Sequence, residues 1–302
     1  MENINLIGKQ YPNDNKIDPS GFLCKARLHQ SLFRVNELRI IHCDIYGNYL
    51  RKDDAGKGSN FYNGFDIFQA VRNSRSYNKP LYANMLRSEH IPFNLFVPLM
   101  QDKVFCRNIF NVFLSDTILS IDRIEIEYAP SPASHYLNDK TSFDTYIEYT
   151  TRDNEKAILG IEVKYTEGAY PLKKESSEEK RILDDKSSYY TVSRKSGLYK
   201  DRAEEQLITD NYRQVWRNQL LGESILQVNS YEYKKFTSIT LFPEANIHFV
   251  KVSKGYLDLM SDGIKYFIPI TYESFIESAY KYYPNEDYKN WVDYLKKRYI
   301  IK

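Results

Sequence analysis

Glu162 and Lys164 stand two residues apart in GIEVKYTEG (160–168), where they alternate with the apolar Ile161, Val163 and Tyr165. Successive side chains of a strand point to opposite faces, so the carboxylate and the ammonium share one face and the three apolar side chains the other. A second carboxylate comes from Asp144 in FDTYIEY (143–149). The turn-rich TTRDNEK between the two runs predicts a hairpin centred near Asp153 and Asn154, which sets residue 144 opposite a residue near 163. Two carboxylates and an ammonium gathered in this way suit a hard divalent cation, with the lysine left to meet developing negative charge. The same residues would also make a solvated sheet face with a cross-strand ion pair, worth about 0 to 1 kcal/mol. Buried without compensation, the carboxylates would cost several kcal/mol.

Elsewhere along the chain, GFLCKARLHQSLFRVNEL from Gly21 has helical spacing and no internal proline or glycine. LYANMLRSEHIPFNLFVPLM (81–100) places Tyr82, Met85, Glu89, Phe93, Phe96 and Met100 on one helical stripe, with Pro92 kinking or restarting the helix. Glu89 interrupts that apolar stripe, although a glutamate beside Ser88 is also what a helix start favours. Period-two patterns predict strands at 120–129, 143–149 and 157–165. Further strands are expected near 236–242, 247–252 and 265–270, with helices over 203–221, 271–283 and 286–299. On the helix over 203–221, Asn211, Gln214 and Arg217 or Asn218 form a polar face opposite Tyr212, Trp216 and Leu220, which solvation alone would explain. The segment 171–202 is rich in charge, Lys173 and Lys174 included, and reads as a long exposed loop that orders on binding a partner. Glu167, five residues after Glu162, points to the opposite face unless a bulge intervenes.

Composition removes several alternatives. A formal net charge of +2 over 302 residues gives no global basic field, so a nucleic-acid site would have to be a local patch. Cys24, Cys43 and Cys106 are too few and too irregularly spaced for a disulfide framework or a zinc cluster. With no leader-like start and no apolar window of membrane length, the expectation is a cytoplasmic protein away from membranes. Gly56-Lys57-Gly58-Ser59 lacks the glycine that a phosphate loop requires at 51, where Arg51 stands. The five histidines have no partner pattern, and neither a nucleophile elbow nor a zinc helix is present.

The order of elements, with FD at 143–144, GIEVKYTE at 160–167 and YRQVWRNQLL at 212–221, resembles the PD-(D/E)XK nuclease superfamily, the restriction-endonuclease-like fold. KGSNFY and LRSEHIPFNLF resemble segments of a bacterial restriction-like branch, while Phe143 stands where many members have proline. The resemblance implies an α/β fold: a central mixed sheet flanked by helices, with N-terminal and C-terminal helical additions. The expected organisation is a helical region over 1–80, a nuclease-like core over 81–252 that includes the 171–202 insertion, and a C-terminal strand and helices over 253–302 packed on it. It implies a Mg²⁺ site, with Mn²⁺ as a substitute, built from Asp144, Glu162, the Val163 carbonyl and Glu89. Lys164 would stabilise the transition state and Gln214 would assist, while Gln214, Arg217, Lys173 and Lys174 would contact substrate. The activity implied is a metal-dependent DNA endonuclease of bacterial defence or restriction, acting on DNA ahead of RNA, with a homodimer allowed. The alternative is a non-catalytic nucleic-acid-binding or assembly module that retains the fold.

Overall fold

A computed structural model describes residues 4–115 and 117–301. At the centre lies one five-stranded sheet in the order β1 (Ile118–Tyr128), β2 (Phe143–Thr151), β3 (Lys156–Val163), β4 (Tyr233–Phe242) and β5 (Phe267–Thr271). The first three strands are antiparallel neighbours, whereas β4 and β5 run parallel to β3. Antiparallel partners can be joined by a tight turn, but parallel ones need a crossover, and the connections after β3 and β4 are accordingly helical. The helices that matter for the site are α1 (Phe22–Asn36), α2 (Ile91–Gln101), α3 (Lys103–Asn111), α4 (Ser177–Leu183), α5 (Ser188–Ser196), α6 (Arg213–Val228), α7 (Ile247–Leu259), α8 (Tyr272–Tyr282) and α9 (Glu286–Tyr299). This is the mixed sheet between helices expected for a restriction-endonuclease-like α/β fold. Among the described residues no helix is long and apolar enough to cross a membrane.

Alternation along β3 divides the core. Ala157, Leu159, Ile161 and Val163 pack with residues of α2, α3, α8 and α9, whereas Ile158 joins Tyr146, Phe236 and residues of α5, α6 and α7 on the other face. Helix α6 can lie low on that second face because of Gly222. A Cβ there would fall 2.2 Å from the Phe236 ring, and one on Gly160 would fall 2.4 Å from the Phe143 ring. The two rings sit 5.7 Å apart between helix and sheet. Gly222→Ala is therefore expected to destabilise the protein even though alanine is the better helix former by about 1 kcal/mol. Overpacking a close contact costs typically about 1–3 kcal/mol, so a thermal melt should show a lower midpoint, and a raised one would refute this account of α6.

Four expectations are corrected. Residues 247–252 form the first half of α7, not a strand: Asn246 caps the Phe249 N–H, and Phe249, Val252, Ser253 and Tyr256 make a buried helical stripe while Ile247 and Val250 are exposed. Residues 171–202 are not a structureless loop. They contain α4 and α5, whose Ile182, Tyr189, Tyr190 and Val192 are buried, with Tyr189 and Tyr190 edge-on to Trp216. The helix expected over 203–221 breaks after a short turn at Glu204–Leu207 and resumes as α6, leaving Asn211 in the intervening turn. The stripe over 81–100 is likewise interrupted, since α2 starts only at Ile91 with Pro92 in its first turn, where a missing N–H costs nothing.

The end of α9 is tied into the rest of the molecule by Arg298, which is fully buried and has no acidic partner among the described residues. Its guanidinium donates to the Asn60 carbonyl (2.6 Å), to the Asn60 and Tyr294 side chains, and to Nε2 of His90 (3.3 Å). It also lies over the rings of Phe33, Tyr294 and Tyr299. Burial and the Arg298 charge hold His90 neutral, well below its usual range, so the imidazole can accept this bond. Gln30 of α1 completes the junction by donating to both the Arg298 carbonyl (2.7 Å) and the Tyr165 hydroxyl (2.8 Å).

Candidate active site

Glu162 and Lys164 lie at the carboxyl end of β3 on the face covered by α6, and both are almost fully buried. Lys164 Nζ donates to Glu162 Oε1 at 2.6 Å. Gln214 and Asn218 stand one helical turn apart on α6, so both amides reach the same carboxylate: Gln214 to Oε1 at 2.8 Å and Asn218 to Oε2 at 2.7 Å. The β2–β3 register pairs Thr145 with Ile161, one residue from the sequence-based alignment, and brings Asp144 Oδ2 to the Val163 N–H at 2.7 Å. The backbone of Lys164 is pinned on both sides, its N–H donating to the Leu241 carbonyl (2.8 Å) and its carbonyl accepting from the Tyr272 hydroxyl (2.6 Å).

Burial, and after it the negative charge of Glu162, push the Asp144 carboxyl well above the usual range, against the opposing pull of Lys164 and the Val163 N–H. Burial disfavours the charged form of Lys164, but the carboxylates of Glu162 and Asp144 outweigh it and leave its pKa above the ordinary value. The ammonium is thus present at neutral pH. Two carboxylates compete here for one lysine, an excess of negative charge that a cation would offset.

Glu89 lies on a single 3-10 turn, Ser88–His90, half-buried and paired with Arg87 at 3.2 Å, with Oε2 buried and without a partner. Ser88 of the same turn donates its N–H to Glu167, which also accepts from the N–H of Tyr165 beside Lys164, so the turn borders the site. Glu167 is a neighbour that alternation along the strand missed. The strand stops at Val163, and the chain bends back so that the Glu167 carboxylate accepts from the N–H groups of Tyr165 (2.7 Å) and Ser88 (3.0 Å). Its charge acts on both Asp144 and Lys164. The signal for this was Thr166 and Gly168 around it, turn formers that end a strand.

Arg217 points into a different bond set from Gln214. Its Nη1 donates to Glu178 of α4 (3.0 Å) and its Nη2 to Thr141 Oγ1 (2.6 Å), and Glu178 also takes Arg213 Nε at 3.1 Å. Arg217 and Glu178 line a groove of about 500 Å³ together with Lys140, Lys173 and Arg181. Lys174 is exposed and does not line it.

The donor set can be tested against a cation. A carboxylate offers about four lone-pair positions. Among the described residues Asp144 Oδ1 accepts no hydrogen bond and Glu162 Oε2 accepts only that from Asn218, so each keeps a free acceptor site. No group of three or more His, Cys, Asp or Glu side chains forms a metal cage among the described residues. The residues therefore fit a hard ion that takes one or two carboxylates and fills its remaining positions with water.

No curated protein and no solved structure matches the chain. The sequence profile of the PD-(D/E)XK nuclease superfamily, by contrast, matches residues 12–301, from before α1 to beyond the end of α9. Acid, acid and lysine at the end of a central strand, in a five-stranded mixed sheet whose sequence fits that profile over nearly its whole length, make this chain a member of the PD-(D/E)XK nuclease superfamily.

Proposed function

We propose that the protein is a Mg²⁺-dependent endonuclease that hydrolyses phosphodiester bonds of DNA, in a bacterial restriction or defence setting. The observation that carries this reading is the gathering of Asp144, Glu162 and Lys164 at one strand end, with Glu162 fixed by two amides from α6. Asp144, Glu162 and the Val163 carbonyl would hold the ion, and Glu89 borders the place from which it would be completed by water. Bound Mg²⁺ supplies positive charge to the phosphoryl group and acidifies a water. Gln214 and Asn218 hold Glu162 so that its free acceptor site keeps one direction. Lys164 keeps its ammonium against the reacting phosphate and stabilises the charge that grows there, which needs the Glu162–Lys164 pair to share its proton donors with substrate. Arg217, Lys173 and Lys174 would contact the flanking backbone, reading phosphate rather than sequence.

The test is incubation of the purified protein with plasmid, single-stranded DNA and RNA, each with Mg²⁺, with Mn²⁺ and with EDTA. Cleavage of plasmid that stops on chelation is the expected result. Cleavage of RNA alone would move the substrate, and binding without cleavage of any of the three would favour a module that retains the fold without the chemistry. Neutralising Lys173, Lys174 and Arg217 together should flatten the salt dependence of DNA affinity by about one unit of slope for each phosphate that is no longer neutralised. An unchanged slope would take the groove out of the substrate path.

A further inference from the structure

At the other end of β3 the sheet carries a second cavity, of about 250 Å³. Tyr149 pairs with Ala157 and Ala157 with Lys235, so the three form one row across β2, β3 and β4 on the same face. The row explains the cavity: alanine between a tyrosine and a lysine leaves unfilled the volume that a larger central side chain would take. Counting along β3 from Ala157 to Glu162 at about 3.3 Å per residue puts it about 17 Å from the candidate active site.

Three of the groups that line this space are donors without acceptors among the described residues. Tyr149 is fully buried, and among the described residues neither its hydroxyl nor the buried Thr117 Oγ1 has a hydrogen-bond partner. Lys235 is half-buried, has no acidic partner among the described residues, and is held below its usual pKa by burial and by Lys265. Burial pushes the Tyr149 phenol up to about 12, so it stays a donor at neutral pH. Arg152, Lys156 and Lys234 add basic groups at the rim, where Asp153 and Glu155 supply the only acids among the described lining residues. Leaving out Arg152, which has a partner of its own, three lysines stand against these two acids, and with two hydroxyl donors beside Lys235 the lining suits a phosphate, which accepts at several oxygens.

We propose that this cavity is a phosphate-binding site, in which Lys235, Tyr149 and Thr117 receive the phosphate group of a small molecule no larger than a mononucleotide. The space exceeds what a bare ion fills but is below the usual range for drug-sized ligands, about 300–1,000 Å³. Two sources share this chemistry, inorganic phosphate and a nucleoside monophosphate, and both serve as probes.

The experiment is isothermal titration of the full chain with inorganic phosphate and, separately, with dAMP at constant ionic strength. Saturable one-to-one binding of at least one probe is expected. Lys235→Met should weaken it tenfold or more. Tyr149→Phe, which removes a hydroxyl that bonds nothing in the protein, should fold normally and weaken it several-fold. Lys164→Ala should leave it unchanged, because the site is not the one at the carboxyl end of β3. The proposal is overturned if neither probe binds at millimolar concentration, if Tyr149→Phe binds as the unaltered protein does, or if binding disappears in Lys164→Ala instead. Binding of phosphate and dAMP with equal affinity would assign the site to the phosphate alone, and tighter dAMP binding would assign it to a nucleotide.

Discussion

Lys164→Ala loses cleavage by about a hundredfold or more while still binding Mg²⁺; Asp144→Ala loses cleavage to a similar extent and binds the ion more weakly. The contrast follows from the two side chains. Lysine offers three donors and no acceptor at neutral pH, so in the proposed mechanism it would contribute charge to the transition state and nothing to ligation. Asp144 has an oxygen free of hydrogen bonds among the described residues and, in the proposed mechanism, would supply a ligand. Metal binding is read by titration calorimetry in the absence of nucleic acid, and cleavage by single-turnover kinetics on plasmid. Both variants should still bind DNA, since phosphate contacts elsewhere provide most of the affinity. Full activity in either variant would refute the assigned site. Loss of the native fold in Lys164→Ala is guarded against by Lys164→Met, which keeps the volume of the stem that is buried beside Glu162.

Glu223→Gln raises stability at pH 8 by about 2 to 3 kcal/mol and has a much smaller effect at pH 4. Glu223 is buried on α6, with one hydrogen bond, from Gln219 at 3.0 Å, and burial pushes its carboxyl from 4.5 up to about 7. A carboxyl whose folded pKa is raised favours folding in its neutral form. That contribution is fully present below pH 4.5 and is lost as the pH rises through about 7, where the folded protein must ionise a buried group that the unfolded chain ionises in water. Glutamine is neutral throughout, so it removes this pH dependence. It can also donate to Gln219 Oε1, a buried acceptor with no partner. Urea denaturation at pH 4, 6 and 8 measures the difference, and parallel stability curves for the two proteins would show that Glu223 is not the group responsible.

The legible part of the molecule is the part governed by short periods. Alternation in 157–165 and the turn residues between the runs brought Asp144 near Glu162 and Lys164, but the register came out one residue off, because β3 is buried on both faces and its apolar residues alone do not fix the pairing. The same rule failed at 247–252, where β-branched residues mimic a strand and the deciding features, the Asn246 cap and the buried Tyr256 a turn further on, lie outside the window. The charged segment 171–202 misled by composition: its few apolar residues, above all Tyr189 and Tyr190, are concentrated on the side that meets Trp216, and Ser176 caps α4 through the Glu179 N–H. Gln214 was visible as part of a polar stripe, but that Asn218 shares Glu162 with it depends on how low α6 sits on the sheet, which is set by Gly222 and Phe236. Glu167 required knowing where the strand stops.

The Arg298 junction bears on the order in which the molecule is made. Asn60, His90 and Gln30 are synthesised long before Arg298, and until the last turn of α9 emerges they lack the bonds that Arg298 makes with them, while Tyr165 lacks its edge-on contact with the Tyr299 ring, 5.9 Å away. Tyr165 directly follows Lys164, so the strand that carries the candidate chemistry lacks this support until the last turn of α9 has emerged. Until residue 299 has left the exit tunnel, the nascent chain is therefore without one of the braces behind its candidate site, which ties the completion of that site to one of the last-made helices.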